Sequence, residues 1–538
     1  MQRYIGDRDY LIRMDPLALF ISGDRQPRLR LVALVCACLV VPLFPSRTRA
    51  AVIPAGTAIE VRLSTPAGSR ISKRGDRINA AIIAPVLAED RQVLLEGANI
   101  SGEVDNVQPL GFGLKHGVAR ISFRFDSMTL SEGRVFPILT RVREVENARE
   151  RVDGAGNIDG ILPTANLSSG ISFAISTLLL HTELAAPAAI VKVIAARSPD
   201  SEIYLPIGTE LVLELERPVS VHLSPSVGQT APPLSEGDRN QAQKFLSTVP
   251  VQQTTLGHKR SSDLVNILLL GTPEQVDAAF SRAGWTGENR RGVMALYRMY
   301  DGLVQRTGYS MAPMAPLTLN GVRATRTYQK SLDTIAKRDH IRLWSQPDSD
   351  VWLAAASQDI GFTVRDMHVT HAIDLAIDNE REKVVNDLWF TGCVRAASLL
   401  PRQSLQVVAH GHSPLATDGE IAVLRLNDCD ASPRLRRADM GRTRAAEAFE
   451  AVGMDIVRAN PLAVGLLSFR SIAEHRRRHN GARAPLNAQL WQRTSVIKPP
   501  SLRNHGSDRS VQSYDAGQRQ SGGSEFVRDR AQEAQIRE

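Results

Sequence analysis

The sequence predicts a multidomain chain: an N-terminal all-β sandwich or barrel, then an α+β domain, then a disordered basic tail. Three observations carry this. Short alternating apolar runs, punctuated by Gly-containing turns, fill residues 51–223. Apolar strand-like runs and helical spacings alternate over residues 262–435. From about residue 480 the chain turns polar and rich in Gly and Arg. With 538 residues there is material for two or three separate cores. A hydrophobic content of 43% is that of a globular protein and not of a polytopic membrane protein.

Residues 1–50 read as a signal peptide or membrane anchor. Arg25, Arg28 and Arg30 precede the apolar run 31–44, the length of a signal-peptide core and short for a full span. Pro42 and Pro45 end it, and Thr48 and Ala50 suit the small subsites of a signal peptidase, which places cleavage after Ala50. Met14 is an alternative start, an uncleaved anchor is the rival reading, and a lipoprotein site at Cys38 fits less well. Under each of these the chain is expected to be exported, periplasmic or anchored at the periplasmic face of the inner membrane. Cys36 and Cys38 would leave with a cleaved leader. Cys393 and Cys429 would remain, and an even pair in an oxidising compartment points to one disulfide, with two buried free thiols as the alternative.

The β-rich domain, 51–223, opens on Ile53-Pro54-Ala55-Gly56-Thr57, after which Ile59, Val61 and Leu63 share one face. A related phrase returns at Leu205-Pro206-Ile207-Gly208-Thr209, followed by Leu211, Leu213 and Leu215. Two copies suggest that the first and last strands of one domain use the same turn chemistry. Strand-like runs between them are broken at Gly75-Asp76, Glu96-Gly97 and Glu132-Gly133. This region resembles the secreted β-domains that carry an Ile-Pro-x-Gly-Thr motif. Residues 161–196 interrupt the pattern as an Ala-rich helical excursion, because 167–180 is marginal for a membrane span. Residues 224–261 read as a linker with room for a short helix.

In the α+β domain, 262–435, residues 264–270 read as a buried strand. Thr272-Pro273-Glu274-Gln275 then gives an N-cap, a proline at the first helical position and a capping-box glutamine; Gly284 closes that helix. Strands are expected at 341–344, 351–356, 404–409 and 421–426, and a helix at 378–390. Trp285, Trp344, Trp352 and Trp389 are expected to build the core. Residues 436–479 read as a helical extension and 480–538 as a disordered tail.

Several phrases in one order carry a resemblance: Asn266-Ile267-Leu268-Leu269-Leu270-Gly271-Thr272, Ala283-Gly284-Trp285, Asp339-His340-Ile341-Arg342-Leu343-Trp344, Val351-Trp352-Leu353, Thr370-His371-Ala372-Ile373-Asp374, Glu380-Arg381-Glu382 and Thr417-Asp418-Gly419-Glu420. Over about residues 262–430 the chain resembles the LssY C-terminal domain family, which brings no assigned activity with it. Some LssY-type chains also carry a lipid-phosphate phosphatase domain. No Pro-Ser-Gly-His occurs here, so that activity is not expected.

Catalytic residue types concentrate only in this region: His340, His371, Asp374, Asp378, Glu380, His410, His412 and Asp418. His371 and Asp374 would share a face on a helical turn, and His410 and His412 would do so on a strand. His371, Asp374, His410 and His412 are thus candidate ligands for a divalent metal, and His340, His371 and Asp374 candidate catalytic groups of a metal-dependent hydrolase. No compact ligand motif supports this, and Asp374 or Asp378 would equally serve to start the following helix. The expectation is therefore a non-enzymatic interaction or scaffold module, without cofactor, meeting an envelope protein or cell-envelope component. The net charge of +8 gathers much of its excess in Arg-rich ends, so nucleic-acid binding is not expected.

Overall fold

The computed structural model describes residues 49–162, 200–248 and 252–429, apart from breaks at 89–90, 94, 96, 111–115, 224–230, 256–260, 290–291, 307, 366–367, 403–408 and 411–412, with a few residues between 466 and 497. All of these fall in one compact unit, Met1–Lys498. The leader, the Ala-rich stretch 163–199 and most of the extension and tail lie outside the described residues.

The β-domain is held at its ends by β1 (Arg49–Ile53) pairing antiparallel with β8 (Val219–Leu223). Between them run β2 (Ala58–Leu63), β3 (Arg77–Ile82), β4 (Asn99–Gln108), β5 (Arg120–Thr129), β6 (Thr140–Val145) and β7 (Glu210–Leu215). The main sheet has the antiparallel order β6-β7-β2-β3-β4-β5, continued by the short strands Ile158–Asp159 and Arg151–Val152. It curls like a barrel. The chain leading into edge strand β6 returns to β5, where Ile138 N donates to Asp126 O at 2.9 Å. Ile59, Val61, Leu63, Ile100, Phe125, Leu211 and Leu213 fill the interior.

The two Pro-x-Gly-Thr phrases lie side by side and pair with pseudo-two-fold symmetry. Gly56 and Gly208 adopt φ of +84° and +93°, which glycine alone tolerates cheaply. Thr57 and Thr209 hydroxyls donate to the carbonyls of Pro54 and Pro206 at 2.7 and 2.8 Å. Gly56 N then donates to Leu215 O, and Gly208 N to Leu63 O. The repeated phrase thus sets the register of β2 against β7, opposing Arg62 to Glu210.

Within the segment 224–261, expected as a linker with room for a short helix, the described residues 231–248 and 252–255 pack on the second domain. The segment holds α1 (Glu236–Leu246), capped by the Ser235 side chain, and the strand Gln252–Thr255. Leu234 and Ala242 are buried there, and their apolar side chains decide its placement. The second sheet contains β9 (Ser261–Leu264) only as a neighbour. Its own strands are β10 (Ile267–Leu270), β11 (Trp285–Gly287), β12 (Arg326–Lys330), β13 (Arg338–Ser345), β14 (Val351–Arg365), β15 (His368–Ile373), β16 (Val394–Pro401) and β17 (Glu420–Leu426). The order is β11-β12-β13-β14-β10-β17-β16, with β15 also on β14. The β10–β17 pair runs parallel.

The expected strand 264–270 is split in two at Asn266. This buried side chain donates to Ala356 O and accepts from Ala356 N, so it replaces the ladder at the break. Beyond it the run Ile267-Leu268-Leu269-Leu270 is buried on both faces. Ile267 and Leu269 meet α2 (Pro273–Arg282) and α4 (Ile377–Trp389); Leu268 and Leu270 meet the α1 side. Between α2 and α4 in sequence lies α3 (Val293–Gln305). Helix α2 has the expected capping box, with Thr272 and Gln275 satisfying each other's backbone amides. Trp285, Trp344 and Trp352 are buried in the sheet's two faces.

One feature departs from the expected disordered tail. Val496 and Ile497 are buried in the core under α4, where Val496 N donates to Asn386 Oδ1 and Val496 O accepts from Ala231 N. An apolar pair in a polar segment gains by burial whatever its surroundings in sequence. Cys393 and Cys429 are disulfide-bonded, with Cα atoms 5.4 Å apart. The strand expected at 404–409 falls almost wholly outside the described residues.

Candidate functional site

The β-domain and the second domain meet over a buried ion network. Arg62 and Glu210 project from the outer face of β2 and β7, where alternation would ordinarily leave them in water. Here that face is covered by α4 and the end of β12. Lys383 and Asp387, one helical turn apart, point down from α4, and Lys330 comes from β12. Lys383 Nζ donates to Glu210 at 2.7 Å and Glu146 at 3.0 Å. Lys330 Nζ lies 2.6 Å from Glu210 and 2.8 Å from Asp387, while Arg62 reaches Glu210 at 2.8 Å and Asp387 at 3.2 Å. Trp285 Nε1 completes Asp387 at 3.0 Å.

The Lys383 and Asp387 side chains are each only 2% exposed, so these charges interact in a medium far less polar than water. Burial alone would push the Glu210 carboxyl up, but Lys330, Lys383 and Arg62 together hold it well below the usual range. Asp333 has the opposite fate: burial, then the charge of Asp339, raises it well above the usual range. Its Oδ2 accepts from Asp339 N and from Asn147 Nδ2, another contact across the two domains.

Above this floor opens a cleft of about 1680 Å³, lined from both domains. Arg149, Tyr204 and Gly208 belong to the β-domain wall, and Trp285, Arg298 and Tyr309 to the other. Its mixture of charged, aromatic and backbone groups suits recognition of a polar ligand or a peptide segment.

Residues 246–421 match the family model described as LssY C-terminus. The chain carries an LssY C-terminus domain. No curated protein matches the chain. Among solved structures it is similar to ComB10 of the Com type IV secretion system of Helicobacter pylori, at 11% identity over 33% of this chain and 93% of that one, with a TM-score of 0.19. So slight a likeness carries nothing about function.

Within the LssY domain the histidine and carboxylate candidates separate. His371 stands on strand β15 and Asp374 just beyond its end, so no helical turn joins them; the helix begins only at Ile377. Asp374 Oδ1 accepts from Ala376 N and Oδ2 from Asn379 Nδ2, the local bonds that lead the chain into α4. Asp378 accepts from Asp418 N, Thr417 Oγ1 and Arg381 Nη1. Arg381 also grips both oxygens of Asp418 at 2.8 Å. Two phrases that carry the family resemblance thus clamp the start of α4 to the turn before β17. Glu380 is buried on the same helix. Of His410 only the backbone, in the short strand Ala409–His410, is described, and His412 lies outside the described residues.

His340 and His371 do approach a shared carboxylate. Asp359 Oδ2 is 3.3 Å from His371 Nδ1 and 3.7 Å from His340 Nδ1, and Arg338 binds the same oxygen at 3.1 Å. Among the described residues no group of three or more His, Cys, Asp or Glu side chains could hold a metal ion. Of the hydrolase candidates, His340 and His371 share Asp359, whereas both Asp374 oxygens bond within the chain leading into α4.

His340 Nε2 lies 3.1 Å from Ser357 Oγ, which with Asp359 gives a Ser–His–Asp order of residues. Ser357 is fully buried and does not line the cleft. Burial, reinforced by Arg342 and Arg338 against the pull of Asp359 and Asp263, pushes His340 down to about 4. Its folded pKa lies below the ordinary 6.5, so its contribution to stability is present above pH 6.5 and lost as pH falls toward 4. Imidazole resonances followed by NMR should show His340 neutral until about pH 4. Titration near pH 6.5 would contradict its place in this core.

Sequence reasoning missed the interdomain network. The available signal was Lys383 and Asp387 at i, i+4 within the helix that also carries Val384 and Leu388. Charges at such spacing ordinarily mark a solvated face.

Proposed function

We propose that this chain is a non-enzymatic interaction or scaffold module of the cell envelope, and that the cleft between its two domains is the docking surface for an envelope protein or cell-envelope component. The observation that carries this is the ion network of Arg62, Glu210, Lys330, Lys383 and Asp387. It fixes the two walls against each other, and a preformed cleft binds without the cost of ordering its walls first. The interior location of the Ser357 hydroxyl and the commitment of Asp374 and Asp378 to the start of α4 support a role without catalysis.

The basic leader with its apolar run at 31–44 supports export, and a Cys393–Cys429 bridge suits an oxidising compartment. Residues 1–60 fused to a reporter active only outside the cytoplasm should give signal; a stable but silent fusion would remove the envelope location. For the docking surface, a photo-cross-linking residue at Thr286 or Tyr204, inside the cleft, should capture an envelope component in intact cells. The same residue at Glu132, on a turn of the β-domain and not a lining position, serves as control. Equal capture at cleft and control positions would leave the cleft without its assigned role.

A further inference from the structure

Val496 and Ile497 sit in a slot that holds both their side chains and their main chain. The side chains are 0% and 3% exposed and share one apolar cluster with Val385, Leu388 and Ala397. One wall is α4, whose Asn386 Oδ1 accepts from Val496 N at 3.2 Å across 110 positions of sequence. The other is Ala231, whose N donates to Val496 O at 3.1 Å. The next residue, Pro232, is itself fixed to edge strand β16, because its carbonyl accepts from Ala397 N at 2.9 Å. Both main-chain groups of Val496 are thus taken and two adjacent side chains are buried. Main-chain bonds with pockets for side chains are how a protein reads an extended peptide.

The sequence on either side of the pair is polar or breaks pairing. Arg493-Thr494-Ser495 precedes it and Lys498-Pro499-Pro500 follows. Pro499 and Pro500 carry no N–H, so a hydrogen-bonded ladder does not run on through them. Two apolar side chains carry the hold, with the main-chain bonds of Val496, and so small a contact opens and closes at equilibrium. Its place on α4 gives it reach. Asp387, next to Asn386, and Lys383, a turn before Asp387, are the α4 members of the interdomain ion network. Filling the slot therefore steadies the helix from which that network hangs. We propose that the slot beneath α4 is a peptide-binding site, filled in cis by Val496-Ile497, and that the C-terminal segment acts through it as a reversible clasp on α4. The clasp stands whatever the cleft binds.

The full chain and a fluorescent peptide of its residues 491–500 test this. Val496→Ala with Ile497→Ala should empty the slot, lower the thermal unfolding midpoint by about 5 °C and speed hydrogen exchange in α4. Exchange in β4 and β5, far along the other sheet, should not change. The peptide should bind this double variant saturably and restore slow exchange in α4. The wild type, whose own pair competes within the same molecule, should bind the peptide at least about tenfold more weakly. A peptide carrying Val496→Asp and Ile497→Asp should bind neither. If the double variant fails to fold, Ile497→Ala alone carries the same comparison. Equal peptide binding by wild type and variant, or α4 exchange indifferent to the substitutions, overturns the proposal. So does a folded variant that takes up no peptide at millimolar concentration, which would leave the pair as core packing only. Wild-type α4 exchange that slows as protein concentration rises would seat the pair of a second copy in the slot, and that too overturns occupancy in cis.

Discussion

Replacing Lys383 by methionine should destabilise the chain by about 3–5 kcal/mol at neutral pH, the cost of leaving buried charge uncompensated. Lys383 touches both Glu146 and Glu210, so its loss takes a cation from two carboxylates of the domain boundary. Urea unfolding of the wild type and the variant measures this directly, and a difference below about 1 kcal/mol would contradict it. The pH dependence gives a second reading. Glu210 is held below its unfolded pKa, so it contributes stability above that unfolded value and loses it as pH falls through the folded one. Without Lys383 the folded pKa rises, and the acid loss of stability should move to higher pH. Asp333 runs the other way: its folded pKa is raised, so its contribution is present at low pH and lost as pH rises through that raised value.

Removing the disulfide should cost about 4 kcal/mol by the chain-entropy account for a separation of 36 residues. The bond ties the residue just after α4 to the residues just after β17, so its loss loosens the packing of that helix on the sheet. Cys393→Ala with Cys429→Ala, compared with the wild type under oxidising and reducing conditions, checks this. The wild type should fall to the level of the double variant when reduced. An unfolding midpoint indifferent to reductant would refute it.

What the sequence made legible followed from local rules. The Thr272-Pro273-Glu274-Gln275 phrase determines its own helix start, because its bonds close within four residues. The two Pro-x-Gly-Thr phrases likewise announce their turns. The strand split at Asn266 was not legible, since the partner that justifies it, Ala356, is 90 residues away. The site was least legible of all. Arg62 and Glu210 occupy positions that alternation assigns to solvent, and only the arrival of α4 on that face buries them. The same blindness to tertiary context made His371 and Asp374 look like neighbours on a helix, when a strand end lies between them.

The central claim is that the two domains act as one body joined through the Glu210–Lys383 contact. A double-mutant cycle with Glu210→Gln and Lys383→Met, one residue from each domain, measures that joint directly by urea unfolding. We expect a coupling energy of about 1–3 kcal/mol, with the wild type unfolding in a single transition. Additive single effects together with two independent unfolding transitions would show that the domains fold apart and that the cleft has no fixed walls.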